Sequence, residues 1–209
     1  MRPILVSVSG LHSEAGKTSL LCGLLRRYPG WTAIKITRGH RRSCGREPDT
    51  CCVSPLLSDK PLVLSGREAT FEAGKDTGRY WEAGAGDVHW VIATSEQVNQ
   101  GVQSALERVR GEGVFIEGNS FLRFARADYS VMVAAPDIRE VKSSALRIMP
   151  IIDALYVNSQ QLDPDTVQGV RSRLKRQAGL KEETPIYFES GIDELAANVL
   201  HVSERVRQA

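Results

Sequence analysis

Long hydrophobic runs are absent from this chain, and neither sign of charge dominates it. No apolar stretch reaches the roughly 18 residues that a membrane-spanning helix needs, so we expect no membrane segment. The formal net charge is +2 over 209 residues, which argues against a surface that coats nucleic acid. Residues 4–9 are apolar but short and interrupted by serines, a pattern that favours a first β-strand over a signal peptide.

Cysteine is also scarce, with four residues in the whole chain. This number, without an export signal, does not suggest a disulfide scaffold, and we therefore expect a protein of the reducing cytoplasm. One segment nevertheless clusters soft ligands, namely His40, Cys44, Cys51 and Cys52. Thiolates and imidazole suit Zn²⁺ or an iron–sulfur centre. Adjacent cysteines match no standard zinc spacing, so a loop with free thiols remains the alternative.

Apolar segments of strand length alternate with longer segments of helical period. This pattern predicts an α/β fold with a single doubly wound, mainly parallel sheet and helices on both faces. Strands are predicted at residues 4–9, 32–37, 61–64, 89–93, 113–116, 129–134, 154–157 and 185–188. Helices are predicted at residues 17–27, 76–84, 96–110, 143–149, 164–177 and 192–207. The interval 38–74, rich in Cys, Arg and Pro, is interpreted as an insertion or long loop in one domain that spans residues 1–209.

A glycine-rich loop lies between the first predicted strand and the first predicted helix, with the sequence Gly10-Leu-His-Ser-Glu-Ala-Gly-Lys-Thr18. Glycines let a backbone turn around phosphates, and successive amides at a helix start face an anion. In such a P-loop, Lys17 would reach the outer phosphates and the Thr18 hydroxyl would coordinate Mg²⁺. Five residues instead of the usual four separate the glycines, so a turn that caps a core helix is the alternative. The predicted nucleotide-binding residues here are Gly10, Ser13, Glu14, Ala15, Gly16, Lys17, Thr18 and Ser19.

This loop resembles the phosphate loop of dethiobiotin synthetases, which share its extra residue and the glutamate. Later landmarks resemble the molybdopterin-guanine dinucleotide biosynthesis protein B family. They are Ile34-Lys35 at the end of a strand, the segment Lys75-Asp-Thr-Gly-Arg-Tyr-Trp-Glu-Ala-Gly-Ala85, and Val114-Phe-Ile-Glu-Gly118. Both families belong to one class of P-loop NTPases that includes metallocentre-assembly GTPases and ParA-like ATPases. The resemblance covers roughly residues 4–135 and implies a sheet of P-loop NTPase type.

The resemblance implies roles for two carboxylates and two lysines. Asp76 and Glu117 would hold Mg²⁺ together with Thr18, because oxygen ligands suit this hard cation. The alternatives are an aspartate that caps its helix and a glutamate in a surface turn. Lys35 and Lys75 are candidates to contact the γ-phosphate or an anionic second substrate, or else are solvated surface residues. The expected catalytic residues are Lys17, Asp76 and Glu117.

Two late segments resemble the base-binding loops of the same class. Asn158 ends a predicted strand, where related GTPases continue with a lysine and, one residue later, a guanine-reading aspartate. Here Ser159-Gln160-Gln161 follows instead. Because an amide both donates and accepts hydrogen bonds, Asn158 suits either purine. Ser190 lies in Tyr187-Phe-Glu-Ser-Gly191, which resembles the last nucleotide loop, and ATP and GTP remain equal alternatives.

No recognisable nucleophile–base pair occurs in the sequence, so any chemistry would come from positioning and electrostatics, as in phosphoryl transfer. Three functions remain open. The first is a slow ATP or GTP hydrolase that assists molybdenum-cofactor biosynthesis or metallocentre assembly, as a homodimer with a partner enzyme. The second is an ATP-dependent small-molecule ligase or kinase that resembles dethiobiotin synthetase, although Asn119 and Ser120 replace that family's glycines. The third is an adaptor without catalysis, which changes conformation when it binds a nucleotide.

Overall fold

The computed structural model describes residues 2–39, 56–136, 141–160 and 164–208. Its strands are β1 (Ile4–Gly10), β2 (Thr32–Arg38), β3 (Leu62–Ser65), β4 (Asp87–Ala93), β5 (Gly113–Glu117), β6 (Tyr129–Ala134), β7 (Ala154–Val157) and β8 (Ile186–Tyr187). They form one sheet with the order β3-β4-β2-β5-β1-β6-β7-β8. Every neighbouring pair is parallel except β3 with β4. The predicted mainly parallel sheet is confirmed.

Helices cover both faces of this sheet. They are α1 (Lys17–Arg27), α2 (Arg67–Thr70), α3 (Asp76–Glu82), α4 (Val98–Leu106), α5 (Ser143–Leu146), α6 (Pro164–Ala178) and α7 (Ile192–Gln208). Buried side chains of α1, α3 and α7 belong to the core on one face. Those of α4, α5 and α6 belong to the core on the other face. The doubly wound arrangement is therefore confirmed. Within the described ranges, no helix is long and apolar enough to cross a bilayer.

The central strands are buried on both faces, as expected for parallel strands between two helix layers. Every residue of β1 is buried, and the same holds for β5 and β6. Because side chains alternate along a strand, Val6 and Val8 pack toward α1, whereas Leu5 packs toward α4 and α6. Continuous apolar runs in the sequence thus correspond to strands in the middle of the sheet.

Helix α1 has the bounds that the sequence predicts. Its apolar positions Leu20, Leu21, Leu24 and Leu25 are all buried, and this i, i+4 spacing places them on one face. The helix ends at Arg27, with Tyr28 as its C-cap ahead of Pro29, and Gly30 adopts a φ of 86°. The burial of this face fixes the phosphate loop, because the loop runs directly into the first turn of α1.

Several other bounds differ from the sequence prediction. The helix expected at 96–110 is shorter, because the Gln97 side chain accepts a hydrogen bond from the Thr94 amide and closes a turn before α4 begins. The helix expected at 143–149 ends at Leu146, and a 3₁₀ turn that contains Pro150 follows. Within the proposed insertion at 38–74, the described part contains β3 and α2. Strand β3 lies at the sheet edge and runs antiparallel to β4.

The register of the sheet brings two charged residues together. Lys35, on β2, is the direct partner of Glu117, on β5. Val8 of β1 is the partner of Glu117 on its other side. Glu117 ends β5, at the edge where ligands bind in open α/β sheets. Lys35 does not end its strand, as Ile34-Lys35 was expected to do, because β2 continues in its ladder with β4 as far as Arg38. The phosphate loop leaves β1 at the same edge.

Candidate functional site

The loop between β1 and α1 borders a cleft of about 640 Å³ at the carboxyl edge of the sheet. Leu11 and Ala15 anchor the loop, since both are fully buried, and the Leu11 amide donates to the Val133 carbonyl at 2.9 Å. Gly16 has a φ of 95°, and a Cβ at this position would lie 2.5 Å from the side-chain nitrogen (Nδ2) of Asn158. Glycine is therefore required here for both backbone conformation and space.

Lys17 extends along the inner side of this loop. Its ammonium donates to the Ser13 carbonyl at 2.9 Å and to the His12 carbonyl at 3.4 Å. Burial lowers the pKa of this ammonium, and the nearby charge of Lys35 acts in the same direction, whereas Glu117 opposes it. A desolvated cation held by neutral carbonyls gains strongly from a polyphosphate, because charge-assisted hydrogen bonds are the stronger kind.

The three predicted cation ligands converge in the same cleft. The Thr18 hydroxyl donates to Glu117 Oε2 at 2.9 Å. Glu117 Oε1 accepts from the Lys35 ammonium at 2.5 Å, and Asp76 Oδ2 accepts from the same ammonium at 2.6 Å. The buried Tyr80 hydroxyl also donates to Glu117 Oε2. The result is one connected network of two carboxylates, one ammonium and two hydroxyl groups.

The charges in this network shift the pKa values of Lys35 and Asp76. Burial alone would lower the pKa of Lys35, but Glu117 and Asp76 outweigh it and raise that pKa. Burial would raise the pKa of Asp76, but the hydrogen bond and charge of Lys35, with smaller contributions from Thr18 and Arg79, together outweigh it and lower that pKa. Lys35 is therefore an ammonium and Asp76 a carboxylate at neutral pH.

The alternatives offered for the two carboxylates are wrong. Glu117 is not a surface residue, since only 3% of it is exposed. Asp76 does not cap its helix. Lys75 holds the cap position of α3 without a side-chain cap, and the Asp76 carboxylate contacts Lys35 instead. Both carboxylates line the cleft beside the phosphate loop.

The donor set fits Mg²⁺. Carboxylate and hydroxyl oxygens of Thr18, Asp76 and Glu117 all line the cleft beside the phosphate loop, and Mg²⁺ prefers one or two carboxylates together with phosphate oxygens and water. Within the part of the chain that is described, no three His, Cys, Asp or Glu residues group as a metal site.

Asn119 closes the phosphate loop from the opposite side, a role that sequence reasoning missed. Its side-chain oxygen accepts from the Gly10 amide at 2.9 Å, and its amide nitrogen donates to the Gly10 carbonyl at 2.9 Å. This pair of bonds ties the end of β5 to the end of β1. A polar side chain directly after Glu117-Gly118 was the available signal, since it follows the strand end that faces the loop.

Tyr80 and Lys142 were also missed. Tyr80 is four residues after Asp76 on α3 and so shares its helix face, which was a usable signal. The backbone amide of Lys142 donates to the Leu11 carbonyl at 2.9 Å, and its ammonium donates to the Ser13 hydroxyl. No sequence motif surrounds Lys142, and only the fold brings it to the loop.

Basic side chains outnumber acidic ones around the cleft. Its charged lining residues are Lys17, Lys35, Arg38, Arg79 and Lys142, against Glu14, Asp76 and Glu117. Further loop residues on the lining are Gly10, Ser13, Gly16, Thr18 and Ser19. Such an excess of positive charge at a concave surface concentrates anions.

Other predicted residues lie apart from this cleft. Lys75 is exposed and is not among the residues that line the cleft. Asn158 packs behind the loop against Gly16, and the Ser190 hydroxyl donates to the Gln160 carbonyl at 3.1 Å. The structure thus places Asn158 beside the phosphate loop, with Ser190 near the following residues. The predicted soft-ligand set of His40, Cys44, Cys51 and Cys52 lies outside the described residues.

Comparison with known proteins identifies the fold. HypB from Helicobacter pylori, solved in complex with nickel, superposes with a TM-score of 0.55 at 12% identity, over 98% of this chain and 88% of that chain. The fold is that of the P-loop NTPases. Weaker matches include LpxK from Aquifex aeolicus in complex with ATP, with a TM-score of 0.47, 16% identity, and coverage of 90% of this chain and 71% of that chain. The MinC:MinD cell division complex of Aquifex aeolicus matches with a TM-score of 0.46, 11% identity, and coverage of 99% and 96%.

Sequence comparisons add no family to this result. No protein-family model matches the chain, and no curated protein matches it either. Structural likeness at 12% identity defines the P-loop NTPase fold and nothing finer. The function must therefore be argued from the geometry of the cleft.

Proposed function

We propose that this protein binds a nucleoside triphosphate with Mg²⁺ in the cleft and hydrolyses it slowly. The observation that supports this most is the convergence of Lys17 and Thr18, from the loop, with Asp76 and Glu117, from two other elements. A turn that merely caps a helix would not bring a desolvated lysine, two carboxylates and a hydroxyl into one cleft. Phosphoryl transfer needs this combination of positioning and charge.

The residues have separable roles in this proposal. The Lys17 ammonium would exchange its bonds to the Ser13 and His12 carbonyls for the outer phosphates, which are stronger acceptors. Thr18, Asp76 and Glu117 would hold the cation directly or through water. When bound, Mg²⁺ would supply neutralisation of the phosphate charge. Lys35 would stabilise charge that develops on the transferred phosphoryl group, without proton transfer.

Isothermal titration with MgATP and MgGTP tests the proposal and decides the base preference. We expect wild-type protein to bind at least one of them with a dissociation constant below millimolar. Lys17→Ala should bind at least about tenfold more weakly, since a hydrogen bond to a charged group is lost. Lys60→Ala is the matched control, because Lys60 is exposed and lies outside the cleft. Equal affinities of the Lys17 and Lys60 variants would refute the proposed pocket.

The cellular role that we propose is assistance to molybdenum-cofactor biosynthesis or metallocentre assembly, in the cytoplasm and as a homodimer with a partner enzyme. The support is the resemblance of the segments around Lys35, Asp76 and Glu117 to the protein B family. Light scattering with and without nucleotide tests the dimer, and a monomer under both conditions would remove that part. Stimulation of hydrolysis by a cofactor-assembly enzyme tests the partnership. Micromolar affinity with turnover below about one per hour would favour the adaptor instead.

One observation favours a small-molecule ligase or kinase as the second candidate. Beyond the loop, the cleft is also lined by Arg38, Lys142 and the hydroxyl-bearing Ser120, which suits an anionic acceptor next to a triphosphate. Dethiobiotin synthetase-like chemistry would require ATP turnover that depends on diaminopelargonate and bicarbonate. Turnover that these compounds do not change would remove this candidate.

A further inference from the structure

The Lys35 ammonium lies between the two carboxylates that are assigned to the cation. It donates to Asp76 Oδ2 at 2.6 Å and to Glu117 Oε1 at 2.5 Å. Only 18% of the lysine side chain and 3% of the glutamate side chain are exposed. The Asp76 side chain is more exposed, at 40%. The ammonium therefore offsets one of the two negative charges, and its pair with Glu117 is largely desolvated, where charge interactions are strong.

A divalent cation that both carboxylates held directly would need the space that the ammonium occupies. Mg²⁺ binds oxygen at about 2.0–2.1 Å, whereas the ammonium already contacts both oxygens in its first coordination shell. Glu117 has little freedom to turn away, because its other carboxylate oxygen accepts hydrogen bonds from Thr18 and Tyr80. One of the two cations must therefore leave the space between the carboxylates when the other occupies it.

From this geometry we propose that Lys35 is a specificity-determining residue, which holds the place of the divalent cation until a nucleotide arrives. The inference rests on the proposed function of the cleft. Free Mg²⁺ would have to displace a paired ammonium without offering it another anion. A triphosphate offers that anion, because its outer phosphates would enter the cleft that Lys17 and Lys35 both line. The protein thus binds the cation as part of the nucleotide complex and not alone.

Manganese binding without nucleotide tests the proposal. Mn²⁺ is paramagnetic, so electron paramagnetic resonance can measure its free concentration as protein is titrated. We expect Lys35→Met to bind Mn²⁺ at least about tenfold more tightly than wild-type protein, because two carboxylates lose their internal cation. Lys35→Arg, which keeps a cation, should restore the weak binding of the wild type.

Lys142→Met is the matched control for the loss of one positive charge from the cleft. Lys142 contacts the Ser13 hydroxyl and not the two carboxylates. If Mn²⁺ affinity depends only on the number of positive charges in the cleft, it should rise equally in the Lys142 and Lys35 variants. This result would overturn the proposal. A gain confined to Lys35→Met supports it. No gain in a folded Lys35→Met protein would also overturn it.

A measurement on wild-type protein covers the case in which Lys35→Met does not fold. The ¹⁵N–¹H signal of the Lys35 ammonium, assigned by its loss in Lys35→Arg, reports its ion pairs. We expect Mg²⁺ alone at about 10 mM to leave this signal unchanged, although this concentration is well above the dissociation constants of weak divalent-cation sites. Addition of a non-hydrolysable triphosphate should then shift it. A shift by Mg²⁺ alone overturns the inference, whereas failure of nucleotide to bind wild-type protein overturns the proposed function and leaves the manganese result standing.

Discussion

Tyr80→Phe removes a single hydroxyl from the centre of the carboxylate network. Tyr80 is fully buried in the core between α1, α3 and the sheet, and its hydroxyl donates to Glu117 Oε2. Phenylalanine retains the ring and its packing. Among the described residues, the Thr18 hydroxyl then remains as the donor to that oxygen of the buried carboxylate.

The expected cost follows from the charge on the acceptor. A hydrogen bond to a charged group contributes about 1.5–3 kcal/mol to stability, and we expect the free energy of unfolding to fall by that amount. For a chain of this length, 1 kcal/mol shifts Tm by about 2–4 °C. Tyr80→Phe should therefore lower Tm by about 3–12 °C.

Tyr28→Phe is the matched control for this change. The Tyr28 hydroxyl donates at 2.6 Å to the Ala196 backbone carbonyl, a neutral acceptor, so its loss should cost about 0.5–1.5 kcal/mol. Urea denaturation followed by circular dichroism measures both variants. A Tyr80 variant no less stable than the Tyr28 variant would refute the view that this hydroxyl stabilises the Glu117 carboxylate.

Two further predictions concern the core and the dependence of stability on pH. Gly113→Ala should lower the free energy of unfolding by about 1–3 kcal/mol, because the new Cβ would lie 2.4 Å from the Trp31 ring. Gly169→Ala, in helix α6 with open space at that position, should raise it by about 0.5–1 kcal/mol. Urea denaturation that ranks the two variants in the opposite order would contradict both expectations. His89 is buried with neither ring nitrogen hydrogen-bonded in the described structure, and burial lowers its pKa below 6.5 despite nearby Asp87. Since the unfolded state then binds the proton more readily, the free energy of unfolding should fall as pH drops below about 6.5. His89→Leu should flatten this dependence on pH. An unchanged slope would refute the view that buried His89 causes it.

The sequence predicts the sheet and its central loop well, because each depends on local patterns. The bounds of α1 follow from its leucine spacing and from Pro29. The antiparallel direction of β3 at the sheet edge cannot be predicted in this way, since nothing within Leu62–Ser65 distinguishes a parallel from an antiparallel partner. The end of α5 depends on Pro150 and on packing against the sheet, which a hydrophobic pattern alone does not reveal.

The candidate site was predictable in part. Lys17, Thr18 and Glu117 follow from a strand–loop–helix motif and a strand end. The contact of Lys35 with Glu117 depends on the pairing of β2 with β5, and its contact with Asp76 depends on the position of α3. Short sequence segments encode neither. Lys142 reaches the loop through a backbone bond to Leu11, a tertiary contact without local signal.

The pairing of β2 with β5 has a consequence for how this protein tolerates change in chain length. Lys35 and Glu117 face each other because they are opposite residues in that ladder. One residue inserted earlier in β2 would turn the ammonium to the α4 side of the sheet, where Ile34 now packs. The same insertion in the surface turn at 58–60 would leave this pair untouched. A change of chain length is therefore compatible with the central charge pair in that surface turn but not within β2.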